Sequence, residues 1–193
     1  MKKLFCIESD WEESVKKETS ILPLLECIKS VYPDFEYIYR TANTKEELKY
    51  CLSKFKKLSQ PKNDFNVIVF CGHGKTGKIT LGSGKTEVEL SLKELAEICE
   101  EIDEDLFKNN LVHFDSCSIL KTTNKKLNEF TELTGAKAIT GFSEDVDFIT
   151  SYALEMILFE ALLHENSIKK ALNSVLKKHE DGLCEITHFT QFI

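Results

Sequence analysis

Two residues in this chain have types and settings suited to covalent chemistry, His73 and Cys117. His73 stands in "VIVFCGHGKTG" (Val67–Gly77), where a continuous apolar run stops at a histidine flanked by two glycines. Cys117 stands in "NLVHFDSCSIL" (Asn110–Leu120), where a second apolar run stops at an acid, a serine and a thiol. A cysteine acts as a nucleophile when a base lies within hydrogen-bond reach and its thiolate is stabilised. A histidine at the end of a neighbouring strand is such a base, and glycines beside it let a peptide backbone approach closely. The turn opening at Cys117 is expected to lead directly into a helix, whose free N–H groups and dipole favour a thiolate and can hold a tetrahedral oxyanion.

Other chemistries compete for the same letters. Gly72, Gly74 and Gly77 satisfy G-x-G-x-x-G after a strand, the spacing of a dinucleotide loop. That loop must open a helix, and here it runs into "KITLGSGKTEVEL", which reads as a hairpin turning at Gly82–Gly84. "GSGKT" lacks the first glycine of a P-loop, because Ile79 stands five residues before Gly84; "GHGKT" has Val69 at that place. A thiol phosphatase needs an arginine shortly after its cysteine, and "SILKTTN" follows Cys117. Cys71, His73, His113 and Cys117 are acceptable zinc ligands by type. Yet Cys71 lies within an apolar run, and His113 alternates with Val112 and Phe114 as a residue that packs or hydrogen-bonds under a helix. The bland reading of the pair itself is a polar loop histidine and a buried thiol.

The elements that must position these residues alternate in type. Short apolar runs at "KKLFCIES", "FEYIYRTA", "FNVIVFCG", "NLVHFDS" and "AKAITGF" read as strands, and "LCEITHFTQF" as a closing strand. Helical periodicity fills the intervals: Ile21–Val31, "TKEELKYCLSKFKKL" with Thr44 and Glu47 spaced as a capping box, Ser91–Glu101, "NKKLNEFTEL", "DFITSYALEMILFEALLHE" and "SIKKALNSVLKKHE". Strand–helix alternation predicts an α/β fold, a three-layer sandwich with a mainly parallel central sheet, over residues 1–193 as a single domain. Ligands of such sheets bind beyond the carboxyl ends of the strands, where both His73 and Cys117 fall.

Composition narrows the function classes. With 42% hydrophobic and 30% charged residues the chain reads as an ordinary globular protein. A net charge of −7, with Arg40 the one arginine, argues against a nucleic-acid surface. "FITSYALEMILFEALL" is interrupted by Glu155 and Glu160 and is too short to span a bilayer, so no membrane role is expected. Seven cysteines without a CxxC, behind an N-terminus without a signal core, predict reduced thiols and a cytoplasmic protein.

"VIVFCGHG" followed by "LVHFDSC" resembles the catalytic pair of the caspase-like (clan CD) cysteine peptidases. The stretch "GAKAITGFSEDVDFITSYALEMILFEAL" is similar to the strand and acidic helix that follow the cysteine in bacterial CHAT-type members, and "DSC" resembles metacaspases. The resemblance implies a caspase/hemoglobinase-like fold and a thiol protease that needs no cofactor or metal. It implies His73 as the catalytic acid or base, Cys117 as the nucleophile, and the amides of Gly74 and Cys117 as the oxyanion hole. It also implies Asp115, two residues before the nucleophile, as a carboxylate lining a pocket for Lys or Arg, with Asp145 and Asp147 as further acids. The alternative for Asp115 is a carboxylate that caps the following helix or orients the loop, and Asp145 and Asp147 read just as well as first-turn acids favoured by a helix dipole. The expected activity is endopeptidase cleavage of a protein or peptide substrate after Lys or Arg, under the control of an activating or regulatory protein partner. The alternative is a catalytically silent caspase-like module that binds a partner protein.

Overall fold

A computed structural model describes residues 3–14, 16, 19–58 and 65–193. The expected first strand forms as β1 (Lys3–Glu8), while Lys2 of that expectation lies outside the described residues. Then follow α1 (Leu22–Val31), β2 (Glu36–Thr41), α2 (Lys45–Leu58) and β3 (Phe65–Cys71). A small antiparallel sheet of β4 (Gly74–Lys75), β5 (Lys78–Leu81) and β6 (Val88–Ser91) precedes α3 (Leu92–Ile102). The chain continues through β7 (Leu111–Asp115), α4 (Asn124–Thr134), β8 (Ala138–Phe142), α5 (Phe148–His164), α6 (Ile168–His179) and β9 (Phe189–Phe192).

The main sheet has the order β2-β1-β3-β7-β8-β9, with parallel pairing throughout except for the antiparallel edge strand β9. Period-two alternation sorts each strand between two cores. Phe5, Ile7, Ile68, Phe70, Val112 and Phe114 face α2, α3 and α4. Leu4, Cys6, Val67, Val69, Cys71 and Leu111 face α1, α5 and α6. With apolar residues on both faces the strands read as continuous runs, and the result is the three-layer α/β sandwich that the sequence predicts.

Local chemistry sets the element ends. Thr44 Oγ1 accepts from Glu47 N at 3.1 Å and Glu47 Oε2 accepts from Thr44 N at 3.1 Å, the reciprocal cap expected for α2. Ser91 and Glu94 cap α3 in the same way. Gly135 ends α4 in the left-handed region, at φ 69°, where a side chain is disfavoured. The glycine-rich stretch after His73 forms β4 to β6 rather than a helix, so the requirement of a dinucleotide loop is not met.

The closing strand is shorter than the sequence suggests. After a kink at Asp181 and Gly182 the chain is helical again as far as residue 186, Thr187 Oγ1 donates to the Leu183 carbonyl at 2.6 Å, His188 turns with a φ of 50°, and β9 starts at Phe189. β-branched letters in "CEITH" promise extended backbone, but this local side-chain bond closes a helical turn instead.

Candidate active site

Parallel register decides where His73 and Cys117 fall. Cys71 at the end of β3 pairs with Asp115 at the end of β7, and Gly72 N donates to the Asp115 carbonyl at 3.1 Å. His73 and Cys117 are therefore each two residues beyond one paired step of adjacent strands. Both lie at the carboxyl edge of the sheet, beside the β1/β3 switch point where the chain order reverses.

The two loops are in direct backbone contact. A Cβ placed on Gly74 would overlap the Cys117 carbonyl oxygen, and would stand 2.8 Å from Ser116 Cβ and 3.1 Å from Cys117 N. Only a glycine fits there. Further along, Gly77 N donates to the Ser118 carbonyl at 3.4 Å, and Thr80 N to the His73 carbonyl at 2.9 Å. The small sheet thus fixes the histidine loop against the cysteine loop, and the amides of Gly74 and Cys117 belong to segments that touch.

His73 is exposed, and its ring is oriented from the segment that follows β1. Nε2–H donates to the Trp11 carbonyl in a short hydrogen bond, and the indole of Trp11 meets the imidazole edge to face at 5.4 Å. A proton fixed on Nε2 leaves the Nδ1 lone pair as the basic site of the neutral ring. Trp11 is in turn held by its Nε1–H, which donates to Glu8 Oε1 at 2.8 Å, and by Phe148 at 5.7 Å.

Cys117 is half-buried, and its thiol donates to the Val146 carbonyl at 3.8 Å. Among the described residues no hydrogen bond joins it to His73. Burial pushes the thiol above its usual range, and the charges of Asp145 and Asp115 push it further. The expected helix N-terminus does not stand behind it. Residues 116–120 form turns, Ser118 takes a left-handed φ of 53°, and α4 begins only at Asn124 under its own Thr123 cap. The helix dipole therefore stabilises no thiolate here.

The three candidate acids separate. Asp145 is exposed and accepts from Ser118 Oγ at 2.7 Å, so it flanks the thiol. Asp147 caps α5, accepting from Ile149 N, Thr150 N and Thr150 Oγ1, each at 3.1 Å. Asp115 faces the interior at 2% exposure, with Cys71 Sγ donating to its Oδ2 at 2.7 Å. Burial first, and then Glu155, raises the Asp115 carboxyl well above its usual range.

Asp115 belongs to a polar layer that the sequence reading did not assemble. The register aligns Glu8 with Cys71 and Cys71 with Asp115, so three strand ends present these side chains in one row beneath α5. Glu8 accepts from Trp11 Nε1, Ser20 Oγ at 2.6 Å, Ile21 N at 2.9 Å and the Tyr39 hydroxyl. His113, fully buried as expected for a residue under a helix, lies between Thr140 Oγ1 at 2.9 Å and Glu155 Oε1 at 3.2 Å. Desolvation lowers its pKa to about 4, so the ring is neutral. Cys71, His73, His113 and Cys117 thus take separate partners, and among the described residues no group of three or more such side chains is disposed around one point to hold a metal. The one signal for Glu155 was its spacing with Ser151, Leu154 and Leu158 on the core-facing stripe of α5.

Beside Trp11 a cleft of about 390 Å³ opens over the ends of β1 and β2. Its lining includes Glu8, Asp10, Glu12, Ser20 and Tyr39. Among the described residues no helix is long and apolar enough to cross a membrane.

Residues 1–192 match the model of DUF6642, a family of unknown function, and the chain belongs to that family. No curated protein matches the chain significantly.

Proposed function

We propose that this protein is a caspase-like cysteine endopeptidase acting through His73 and Cys117. The observation that carries this reading is the parallel pairing of Cys71 with Asp115, which sets the histidine and the thiol at the same step beyond adjacent strands. The close contact of Gly74 with Cys117 supports it, since an oxyanion hole from these two amides needs the segments to touch. The Trp11 carbonyl supplies a third element, fixing the His73 tautomer so that Nδ1 can accept a proton.

In this reading His73 Nδ1 takes the Cys117 proton as the sulfur attacks the scissile carbonyl. The tetrahedral intermediate then collapses, the imidazolium gives its proton to the leaving amine, and an acyl-enzyme forms on Sγ. Water, activated by His73, attacks the thioester and restores the thiol. A cation after which the chain is cut is favoured by acids about the site: Glu8, Asp10 and Glu12 line the neighbouring cleft, and Asp145 flanks Cys117. Asp115, buried against Cys71 Sγ, lies outside this acidic surface.

A second reading has its own observation. The thiol bonds Val146 rather than His73 and is held protonated, as suits a silent module that binds a partner, or an enzyme that awaits one.

Labelling with lysyl- and arginyl-peptide chloromethyl ketones, mapped by mass, tests the proposal against an aspartyl analogue and the His73→Ala variant. Selective modification of Cys117 by the basic reagents, lost in His73→Ala, is the expected result. Modification by the aspartyl reagent alone overturns the basic preference. Labelling spread over the cysteines, or none, moves the conclusion to the silent module.

A further inference from the structure

The polar layer beneath α5 has a charge problem of its own, separate from the chemistry of Cys117. Glu155 is fully buried; its Oε1 takes His113 Nε2–H, and among the described residues its Oε2 meets no N–H or O–H donor. The Asp115 carboxyl is its neighbour: His113, which bonds Glu155, and Asp115 stand two residues apart on the same face of β7, and each carboxyl shifts the other's protonation. Two carboxylates cannot bond each other, whereas a carboxylic acid and a carboxylate can. The surrounding groups do not neutralise two charges. They are Cys6 and Glu8 from β1, Cys71 from β3, His113 from β7 and Tyr152 from α5, with Tyr39 of β2 bonded to Glu8. No lysine or arginine is among them, and His113 is neutral.

We infer that Asp115 and Glu155 share one proton in the folded protein at neutral pH, and that its loss drives the start of α5 away from the sheet and opens the wall beside Cys117. The mechanical link is short. α5 carries Glu155 and Tyr152; its first residue Phe148 packs on Tyr152 at 4.1 Å and on Trp11 at 5.7 Å. Asp147 caps it, and the Val146 carbonyl accepts from the Cys117 thiol. Two neighbouring buried like charges repel strongly in a low-dielectric interior, and the relief available is movement of the helix that carries one of them. Burial holds both carboxyls above their usual range, so the loss of the shared proton falls above neutral pH. The device stands on the fold alone and holds whether Cys117 is a nucleophile or an inert thiol.

The sign follows from proton counting. An unfolded chain gives up its carboxyl protons near pH 4, whereas the fold keeps the shared proton to a higher pH. Stability from this pair is therefore highest in acid and declines until the pair has titrated, by up to about tenfold in the unfolding constant per pH unit for one proton.

Urea unfolding from about pH 5 to about pH 9.5 tests this, followed by circular dichroism and by the emission of Trp11, the chain's one tryptophan. In the wild type the midpoint should fall across that range, and native Trp11 emission should change with the same pH midpoint. Glu155→Gln keeps the shape and replaces the titrating group with an amide donor, so it should flatten the emission change and the stability loss below about pH 8, above which ionisation of the buried thiols on unfolding lowers both proteins alike. A fall of equal size in Glu155→Gln, or unchanged native emission in the wild type, overturns the proposal. If Glu155→Gln does not fold, Asp115→Asn replaces it with the same expectations. Infrared spectroscopy of the wild type needs no variant: a protonated-carboxyl stretch present at neutral pH and lost in alkali is expected, and its absence overturns the shared proton.

Discussion

Gly74 and Cys117 touch backbone to backbone, with Cys117 N 3.1 Å from the position a Gly74 Cβ would take. The contact ties the small β4–β6 sheet to the end of β7, so the histidine loop and the thiol loop form one unit. Gly74→Ala must push these loops apart, because the atoms in the way are the Cys117 carbonyl and Ser116 Cβ rather than a movable side-chain tip. We expect a loss of about 1–3 kcal/mol in urea unfolding, the usual cost of overpacking. The rate of Cys117 modification by a peptide chloromethyl ketone should fall with it, while modification of exposed Cys27 should be unchanged.

Trp11 acts on His73 in two separable ways, through its backbone carbonyl and through its ring. Trp11→Phe keeps the carbonyl and an aromatic ring against His73 and Phe148, and removes the Nε1–H that donates to Glu8. Glu8 retains Ser20, Ile21 and Tyr39 as donors, so the expected loss is near the lower end for a buried hydrogen bond, about 1 kcal/mol. Cys117 labelling should persist in this variant. Loss of labelling together with retained stability would assign the indole itself a part in substrate binding.

What was legible in the chain followed from local pattern. β3 and β7 carry uninterrupted apolar runs, α2 its Thr44–Glu47 cap, and α4 its Gly135 stop, each readable within a dozen residues. His73 and Cys117 were legible because each ends such a run. Glu8, Trp11 and Glu155 were not, because their roles depend on the register of β1 against β3 and on the seating of α5, relations that no local window contains. Asp115 shows the limit of face counting. Alternation puts it on the face of Cys71, which is the side covered by α5, and that cover turns a prospective pocket acid into a buried carboxyl. At Cys117 the expectation of an immediate helix failed because the Ser118 turn and the Thr123 cap intervene.

Asp145 should hold the Cys117 thiol in its protonated form. Its charge is the second cause of the raised thiol after burial, and it lies close enough to accept from the adjoining Ser118 hydroxyl. Removing a negative charge favours the thiolate, so Asp145→Asn should lower the thiol pKa and increase the thiolate fraction at neutral pH. Iodoacetamide should modify Cys117 about two- to fivefold faster at pH 7 in the variant, the gain being tempered because a less basic thiolate is a weaker nucleophile. The two proteins should converge in strong alkali, where both thiols are ionised. Equal rates at neutral pH would remove Asp145 from the electrostatics of the site.

Asp147 matters through the helix it starts rather than through a substrate. One carboxylate oxygen accepts two backbone N–H groups and the Thr150 hydroxyl, and the negative charge also sits at the positive end of α5. Asp147→Ala should destabilise the protein by about 1 kcal/mol, and Asp147→Ser should recover most of that loss, since serine caps without a charge. The damage should be local: amide exchange of Ile149, Thr150 and Ser151 should accelerate in Asp147→Ala more than exchange in the second half of α5. Because Val146 adjoins the cap and accepts from Cys117, alkylation of the thiol should also quicken in the alanine variant and return to the wild-type rate in the serine variant. If serine restores stability but not the alkylation rate, the Asp147 charge acts on the thiol directly, and the acid belongs to the site after all.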